Sequence, residues 1–507
     1  MKNFHIILFI AGVFCLLALL CLVFPKKGID LTLHFPSLEE VFAVKSHQGN
    51  LEESLRGVES DFVATLDSIS DDLANADSLA FVDSLRFYTS FDTASVARLS
   101  FPNNDPHLLD KVFQAFEENT KGTLHVLHYG DSQIELDRIS GYIRQKLQER
   151  FGGNGTGLLP VMPLFQTTAV SQVFSDSLPR YVASGTLRQK LPHSRYGVLA
   201  QMAELNGSVT LTYTSRDWSQ VFERTKKFSR IRLFLGNNKA GFKATLSANG
   251  KDSTLVIEDE TFGLTELSWS LKSFVNSCTL RLQGTAELYA VSLESSSGVV
   301  VDNIPLRGSA GTFFTGISSS LLKESMSRLK VPLIIMEFGG NAVPAITSEQ
   351  SVQNYKKDFA RQIQYLQRIY PDAVILVIGP ADMSTKVDGE LQTYPFVEEV
   401  VKAMKEAAVE NGAAFWNMFE VMGGRNSMIQ WVSHQPAWAA PDYIHFTPQG
   451  AKRIAEIFMH TIWHYYEYYA FLQRNSHWIT SPEEEVPDYT EEELQELNFE
   501  PASVTNE

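Results

Sequence analysis

Residues 123–133, TLHVLHYGDSQ, decide the fold of this chain. The stretch from Thr123 to Tyr129 predicts a buried strand, and Ile134 to Phe151 predicts an amphipathic helix. Gly130-Asp131-Ser132 forms the turn between them. A serine at such a junction is expected at the carboxyl edge of a parallel sheet, where open α/β folds place their sites. The helix N-terminus behind Ser132 is expected to offer partial positive charge and free N–H groups.

The alternation of strand and helix extends in both directions from this stretch. Nearly continuous apolar segments predict strands at Val331–Phe338, Ala373–Ile378 and Ala413–Asn417. Amphipathic segments predict helices at His107–Asn119, Ser351–Ile369, Pro395–Asn411 and Pro448–Leu472. Apolar strands that alternate with helices indicate an α/β fold whose parallel sheet is covered on both faces.

Residues 197–295 follow a different pattern and interrupt the α/β region. Segments such as SVTLTYTS and SRIRLFLG alternate polar and apolar residues, with Gly, Asn and Asp between them. Short strands at this spacing predict an antiparallel β-sandwich. We therefore expect an α/β domain in two parts, residues 106–196 and 296–475, around an inserted sandwich.

The two ends of the chain are expected to lie outside this domain. Phe4 to Phe24 contains no Lys, Arg, Asp or Glu and is long enough to cross ~30 Å of hydrocarbon as a helix. We interpret residues 1–27 as a transmembrane anchor, with a cleaved signal peptide as the alternative. Basic residues flank the apolar stretch on both sides, so they do not decide its orientation. Residues 28–105 are expected to form a helical stalk or linker, and 476–507 an acidic tail.

The composition limits the classes of partner. The chain has 507 residues and a formal net charge of −16, without a run of basic residues. Phosphate binding needs clustered Lys and Arg, so a nucleic-acid partner is excluded.

Polar residues with chemical potential follow two other predicted elements. Asp442 and His445 lie on the loop just before the last helix, for which Thr447 is a suitable N-cap. Asp442 can orient the imidazole, and the imidazole can act as the base that a serine nucleophile requires. Asn341 follows the strand VPLIIMEF, where its amide can donate to a developing oxyanion. Gly308, after the strand-like residues 298–301, can present its backbone N–H to the same oxygen.

Taken in chain order, Ser132, Gly308, Asn341 and the Asp442-x-x-His445 pair resemble the four blocks of the SGNH (GDSL-like) hydrolases. The resemblance implies a three-layer, flavodoxin-like α/β sheet. It also implies Ser132 as nucleophile, His445 as general base and then acid, and Asp442 as the orienting carboxylate. The N–H groups of Ser132 and Gly308 and the side chain of Asn341 would form the oxyanion hole. No metal or organic cofactor is implied.

The chain departs from the family pattern beside the nucleophile. Gln133 stands where the GDSL motif has leucine, and Pro305 replaces a common glycine of the second block. Neither departure removes a catalytic group. The adjacent residues Asp137 and Arg138 are interpreted as a structural ion pair.

The inserted sandwich makes the chain similar to bacterial envelope esterases that act on O-acetylated peptidoglycan or polysaccharide. This jelly-roll-like insert resembles a carbohydrate-binding module, and Tyr213, Trp218 and Trp269 are candidates either for stacking on sugars or for its core. The resemblance implies a membrane-tethered O-acetylesterase whose catalytic domain lies in the periplasm or outside the cell. One alternative is an acetyltransferase with the same triad, partnered by a membrane-bound O-acyltransferase. Another is a non-enzymatic glycan-binding protein.

Overall fold

A computed structural model describes residues 97–165, 167–185 and 191–474. The predicted anchor (1–27), residues 28–96 of the predicted stalk and the acidic tail (476–507) lie outside the described residues. Among the helices of the described ranges, none is both long and apolar enough to span a bilayer.

The α/β domain is built on a six-stranded sheet. Numbered in chain order, its strands are β1 (Leu99–Ser100), β2 (Gly122–Gly130), β12 (Ser297–Pro305), β13 (Lys330–Glu337), β14 (Val374–Ile378) and β17 (Ala414–Trp416). They lie in the order β1-β17-β14-β13-β2-β12. All neighbours except β1 and β17 pair in parallel. The parallel strands therefore have the flavodoxin-like order, and the order in which strands are added reverses between β2 and β13.

Helices cover both faces of this sheet. They are α1 (Asp110–Glu118), α2 (Ser140–Phe151), α3 (Ser319–Arg328), α4 (Glu349–Ile369), α5 (Val397–Glu410), α6 (Met418–Val421), α7 (Ser427–Ser433) and α8 (Pro448–Arg474). The helices α1, α2 and α8 share one apolar core, and α3, α4 and α5 share the other. On β2, Val126 belongs to the first core, whereas Leu127 and Tyr129 belong to the second. Both faces of the strand are therefore buried, as in a parallel sheet between two layers of helices, and the predicted three-layer fold is confirmed.

A second, antiparallel sheet of nine strands interrupts the α/β domain between β2 and β12. Its strands are β3 (Gly157–Leu159), β4 (Val170–Phe174), β5 (Arg180–Val182), β6 (Gln201–Ser215), β7 (Phe228–Asn238), β8 (Phe242–Ala248), β9 (Lys251–Ile257), β10 (Thr261–Val275) and β11 (Ser277–Glu294). Strand β11 pairs with β3, β6, β7 and β8, so one continuous sheet surrounds a core of its own. Strands β15 (Ser384–Val387) and β16 (Glu390–Thr393) form a separate hairpin.

The structure corrects two predicted boundaries. The insert begins at Gly157 instead of at residue 197, since β3 pairs with β11 of the inserted sheet. The sequence pattern missed β3, β4 and β5 because these strands are only 3, 5 and 3 residues long. Such short strands show no clear alternation. Residues 97–105, assigned to the stalk, belong to the α/β domain. Strand β1 pairs with β17 there, and Phe101 is buried in the core beneath α8.

Candidate active site

Ser132, His445 and Asp442 form a chain of hydrogen bonds at the carboxyl edge of the parallel sheet. The Oγ of Ser132 lies 2.8 Å from Nε2 of His445. The Nδ1 of His445 lies 2.7 Å from Oδ2 of Asp442. In this arrangement the imidazole can take the serine proton while the carboxylate fixes the tautomer and orientation of the ring. The structure thus brings together the three residues that the sequence placed in the triad.

The turn after β2 presents Ser132 without a long helix behind it. Asp131 caps the turn by accepting the N–H of Gln133 over 2.9 Å. A 3-10 helix, Ser132–Asp137, follows, and its regular geometry breaks at Glu135 and Leu136. The α-helix begins only at Ser140. The prediction of a helix N-terminus directly behind the serine is therefore corrected to a single short 3-10 segment.

The loop that carries His445 is held in shape by its own backbone. Ala439 and Phe446 form an antiparallel bridge, and the N–H of Ala440 donates to the carbonyl of His445 over 2.7 Å. Thr447 caps α8, as predicted, by accepting the N–H of Gly450 over 3.2 Å. The loop and the helix start therefore form one local unit.

The carboxylate of Asp442 is stabilised within this loop. Its Oδ1 accepts the backbone N–H groups of Ile444 and His445, each over 3.0 Å. Partial burial opposes ionisation, but these hydrogen bonds and the one to the imidazole outweigh it and lower the pKa of Asp442. The carboxylate is therefore ionised when it orients His445.

Asn341 reaches the nucleophile turn from the end of β13. Its Nδ2 donates to Oδ2 of Asp131 over 2.8 Å, which fixes the orientation of the amide. Burial raises the pKa of Asp131 to about 7, against the hydrogen bonds from Gln133 and Asn341 that lower it. Within the described part of the chain Asn341 Nδ2 donates to Asp131 alone, so its second N–H can donate to a substrate oxygen.

Gly308 completes the set that the sequence predicted. It follows β12 in the left-handed conformation with φ 75°, which favours glycine. Ser132, Gly308, Asn341 and His445 line one cleft of about 540 Å³. The four sequence blocks therefore meet at a single site. Within the described ranges, no group of three or more His, Cys, Asp or Glu side chains is arranged to hold a metal ion.

Sequence reasoning missed how two side chains after the nucleophile are used. Gln133 bonds to the backbone on both sides of His445, and Arg138 bonds to the carbonyl groups of Ser132 and Phe446. The predicted pair of Asp137 with Arg138 is wrong, because Asp137 pairs with Arg144. The sequence signal available for Gln133 was its departure from the leucine of the motif.

The insert contacts residues that line the cleft. The guanidinium carbon of Arg307 lies 3.8 Å from the centre of the Phe165 ring, and the same guanidinium pairs with Glu135. The hydroxyl of Thr168 donates to the carbonyl of Leu136 over 2.6 Å. Since Glu135, Leu136 and Arg307 line the cleft, the insert helps to shape it.

The aromatic residues proposed for sugar stacking have two different environments. Tyr213 is 0% exposed and Trp269 5% exposed, within the core of the insert. Trp218 is 48% exposed and stacks with Arg216. The core interpretation therefore holds for the first two.

Comparisons with known proteins were made for sequence and for structure. No family model matches the chain, and no curated protein does. Among solved structures, a peptidoglycan O-acetylesterase aligns with 74% of this chain and 99% of its own length, at 19% identity and a TM-score of 0.57. A family two carbohydrate esterase from Cellvibrio japonicus aligns with 59% of this chain and 98% of its own, at 9% identity and a TM-score of 0.24. A GDSL-like lipase from Bacteroides ovatus aligns with 57% and 95%, at 12% identity and a TM-score of 0.22.

Only the first of these neighbours has a score that bears on the fold. Its alignment includes 74% of this chain and 99% of its own. The chain therefore has the fold of this O-acetylesterase, and the SGNH-hydrolase resemblance of the sequence is confirmed at the level of the fold.

Proposed function

We propose that this protein is a serine esterase that removes O-acyl groups, chiefly O-acetyl, from cell-envelope carbohydrate. The observation that carries the proposal is the hydrogen-bonded chain from Ser132 through His445 to Asp442, within a cleft that Asn341 and Gly308 also line. A nucleophile, its base, an orienting carboxylate and oxyanion donors are the parts that acyl transfer requires.

The geometry supports a double-displacement reaction. Ser132 Oγ attacks the acyl carbon while its proton passes to Nε2 of His445. The negative oxygen of the tetrahedral intermediate accepts hydrogen bonds from the Ser132 and Gly308 N–H groups and from Asn341. The bond between the acyl carbon and the sugar oxygen then breaks. His445 gives its proton to that oxygen, which leaves as a hydroxyl group of the sugar. Water, deprotonated by His445, then attacks the acyl carbon. The bond from that carbon to Ser132 Oγ breaks, His445 returns the proton to the serine, and the carboxylic acid leaves.

The carbohydrate substrate is proposed from the fold neighbour and from the shape of the site. The neighbour is a peptidoglycan O-acetylesterase, and the alignment includes its full length. The cleft of about 540 Å³ is lined in part by Leu136 and Arg307, which the insert contacts, so a bulky polymeric alcohol could extend from the cleft towards the insert. The acyl group is small in this proposal, whereas the alcohol is large.

The proposal is tested by measuring acetate released from O-acetylated peptidoglycan and O-acetylated xylan. Aryl esters of increasing acyl length should be cleaved with a marked preference for acetyl. Ser132→Ala should abolish release, and release by this variant at the wild-type rate would contradict a serine mechanism. An added acceptor glycan separates hydrolysis from transfer, because an acetyltransferase would then form acetylated acceptor faster than free acetate.

Membrane attachment belongs to the same proposal. The uncharged stretch Phe4–Phe24 supports an anchor, with the catalytic domain outside the cytoplasm. Full-length protein should sediment with membranes and resist alkaline carbonate extraction, whereas a chain that starts at residue 28 should not sediment. Digestion of the domain by protease added to spheroplasts tests the orientation.

A further inference from the structure

Gln133 connects the nucleophile turn to the loop that carries the base. Its side chain is largely buried and lies beside the backbone of the two residues that flank His445. Nε2 donates to the carbonyl of Ile444 over 2.6 Å, and Oε1 accepts the N–H of Phe446 over 3.3 Å. Both ends of the amide are therefore used, one on each side of the histidine.

Arg138 makes a second connection between the same two segments. Its Nη1 donates to the carbonyl of Phe446 over 2.9 Å, and its Nη2 donates to the carbonyl of Ser132 over 2.5 Å. The planar guanidinium holds both carbonyl groups in one fixed geometry. The backbone of the nucleophile is thus joined to the residue after the base.

Among the described residues, no other side-chain hydrogen bond joins this loop to the Ser132 turn, apart from the Ser132–His445 bond itself. Its remaining external backbone bonds run from the N–H groups of Trp438 and Ala439 to Trp431, and from Ser384 to the carbonyl of Tyr443. Asp442 lies on the same loop as His445 and moves with it. The carboxylate can orient the ring, but it cannot set the distance from the ring to Ser132.

We propose that Gln133 and Arg138 are positioning residues that fix the distance between Ser132 Oγ and His445 Nε2. The inference rests on the proposed function, because that distance matters only if the serine gives its proton to the histidine. A leucine at position 133 can neither donate to Ile444 nor accept from Phe446. A misplacement of the base by about 1 Å is enough to slow acyl transfer by about 100-fold.

Covalent labelling with a p-nitrophenyl alkylphosphonate tests this inference. The Ser132 Oγ–phosphorus bond forms, the bond to p-nitrophenolate breaks, and the serine proton passes to His445. For Gln133→Leu we expect labelling to reach one phosphonate per chain, as in the wild type, but about 10- to 100-fold more slowly. The kcat on an aryl acetate should fall by the same factor with KM nearly unchanged. Full stoichiometry excludes a loss of folded protein as the cause.

Gln367→Leu is the matched control. The Gln367 side chain donates to the carbonyl of Asn411 over 2.6 Å, beside the N-terminal edge of the sheet and away from the cleft. This variant loses a comparable bond and should label at the wild-type rate. Arg138→Lys is the second test variant, since an ammonium group cannot hold both carbonyl groups in the same way, and it serves alone if Gln133→Leu does not fold.

The outcomes separate the two proposals. If the wild type is not labelled at Ser132, the proposed function is wrong and the positioning role falls with it. If the wild type is labelled and both Gln133→Leu and Arg138→Lys react at its rate, the esterase proposal stands and the positioning role is overturned. Slow labelling at full stoichiometry in either variant, beside a normal Gln367→Leu, supports the role.

Discussion

Asp131 is a buried carboxyl group that lies directly beside the nucleophile. Its Oδ1 accepts the N–H of Gln133 and its Oδ2 accepts the amide of Asn341, yet burial still raises its pKa to about 7. The nearby carboxylate of Glu337 contributes to this rise in pKa. An ionised Asp131 therefore opposes folding while it holds Asn341 in place, a conflict typical of functional sites.

The variant Asp131→Asn should be more stable but less active at alkaline pH. Because its pKa is raised from 3.8 to about 7, the wild-type group destabilises the fold increasingly above pH 3.8 and fully above about pH 7. Replacing this carboxyl group should raise the free energy of unfolding by at most about 4 kcal/mol at pH 8 and by little at pH 4. A side-chain amide facing the Asn341 amide should turn that group away from the cleft and lower kcat. Urea unfolding at the two pH values, with kcat at pH 8, checks both effects, and equal stability at pH 8 would contradict the first.

Asn341→Ala should affect the transition state more than binding. The amide is expected to donate to the oxyanion, which forms only during reaction, so kcat should fall by about 100- to 1000-fold. The KM for an aryl acetate should change little. Steady-state kinetics measure kcat and KM separately. A variant with a raised KM at constant kcat would assign Asn341 to substrate binding instead.

At the scale of single residues, local sequence signals predicted the catalytic residues better than the side chains that hold them in position. Ser132, Asn341 and the Asp442–His445 pair each follow a strand or precede a helix, and those positions are readable in the sequence. The partners of Gln133 and Arg138 on the histidine loop lie 311 and 308 residues away. No periodicity or spacing connects positions so far apart, so these contacts needed the fold.

At the scale of elements, the start of α8 fixes the position of the histidine loop. Gly450 lies in the first turn of the helix against the backbone of Trp438, and a Cβ at Gly450 would lie 1.8 Å from the Trp438 carbonyl oxygen. The same oxygen accepts the N–H of Thr447 over 3.0 Å. The helix can approach the loop this closely only because position 450 has no side chain.

The variant Gly450→Ala should be destabilised although alanine is the better helix former. Intrinsic propensity favours alanine by about 1 kcal/mol. The backbone clash outweighs that gain, since helix and loop must separate, and a net loss of about 1–3 kcal/mol is expected. The unfolding temperature and kcat should fall together, because His445 lies in the chain between Trp438 and Gly450, whose contact the alanine would break. The matched change Gly412→Ala, at a glycine after α5 with φ 76° and only Gln367 nearby, should lower stability and leave kcat unchanged.

A buried apolar run or a sustained helical period decided which elements could be predicted. Strands β2, β13 and β14 and helices α4, α5 and α8 show one of these patterns, and their predicted bounds differ from the structure by at most two residues. The two-residue β1 and the short β3 to β5 carry too few residues for a period to appear. Their places are set by pairing with distant strands, β17, β11 and β6.

At the scale of the whole molecule, a buried charge network joins the insert to the parallel sheet. His125 of β2 lies 2.8 Å from Oδ2 of Asp302 on β12 and 3.3 Å from Oε2 of Glu294 on β11. Arg232 of β7 approaches Glu294 to 3.5 Å and pairs with Glu266 of β10. Burial disfavours the charge on His125, but Asp302 and Glu294 outweigh it and raise its pKa to about 9.

This network predicts how stability depends on pH. The pKa of His125 is raised from 6.5 to about 9, so its contribution is complete below pH 6.5 and is lost as pH rises through about 9. That loss amounts to at most about 3 kcal/mol. Glu294 behaves in the opposite sense. Burial raises its pKa, but His125 and Arg232 lower it to about 2, so its contribution is complete above pH 4.5 and is lost as pH falls through about 2.

His125→Gln should therefore be less stable than the wild type at pH 6 and should lose less stability between pH 6.5 and 9. Urea unfolding of residues 97–474 across this range measures the slope, with the surface variant His107→Gln as control, since that side chain is 48% exposed. Because the network spans both sheets, the insert and the α/β domain should unfold in one transition in the wild type. If His125→Gln keeps the wild-type slope, the imidazole is not the group that titrates.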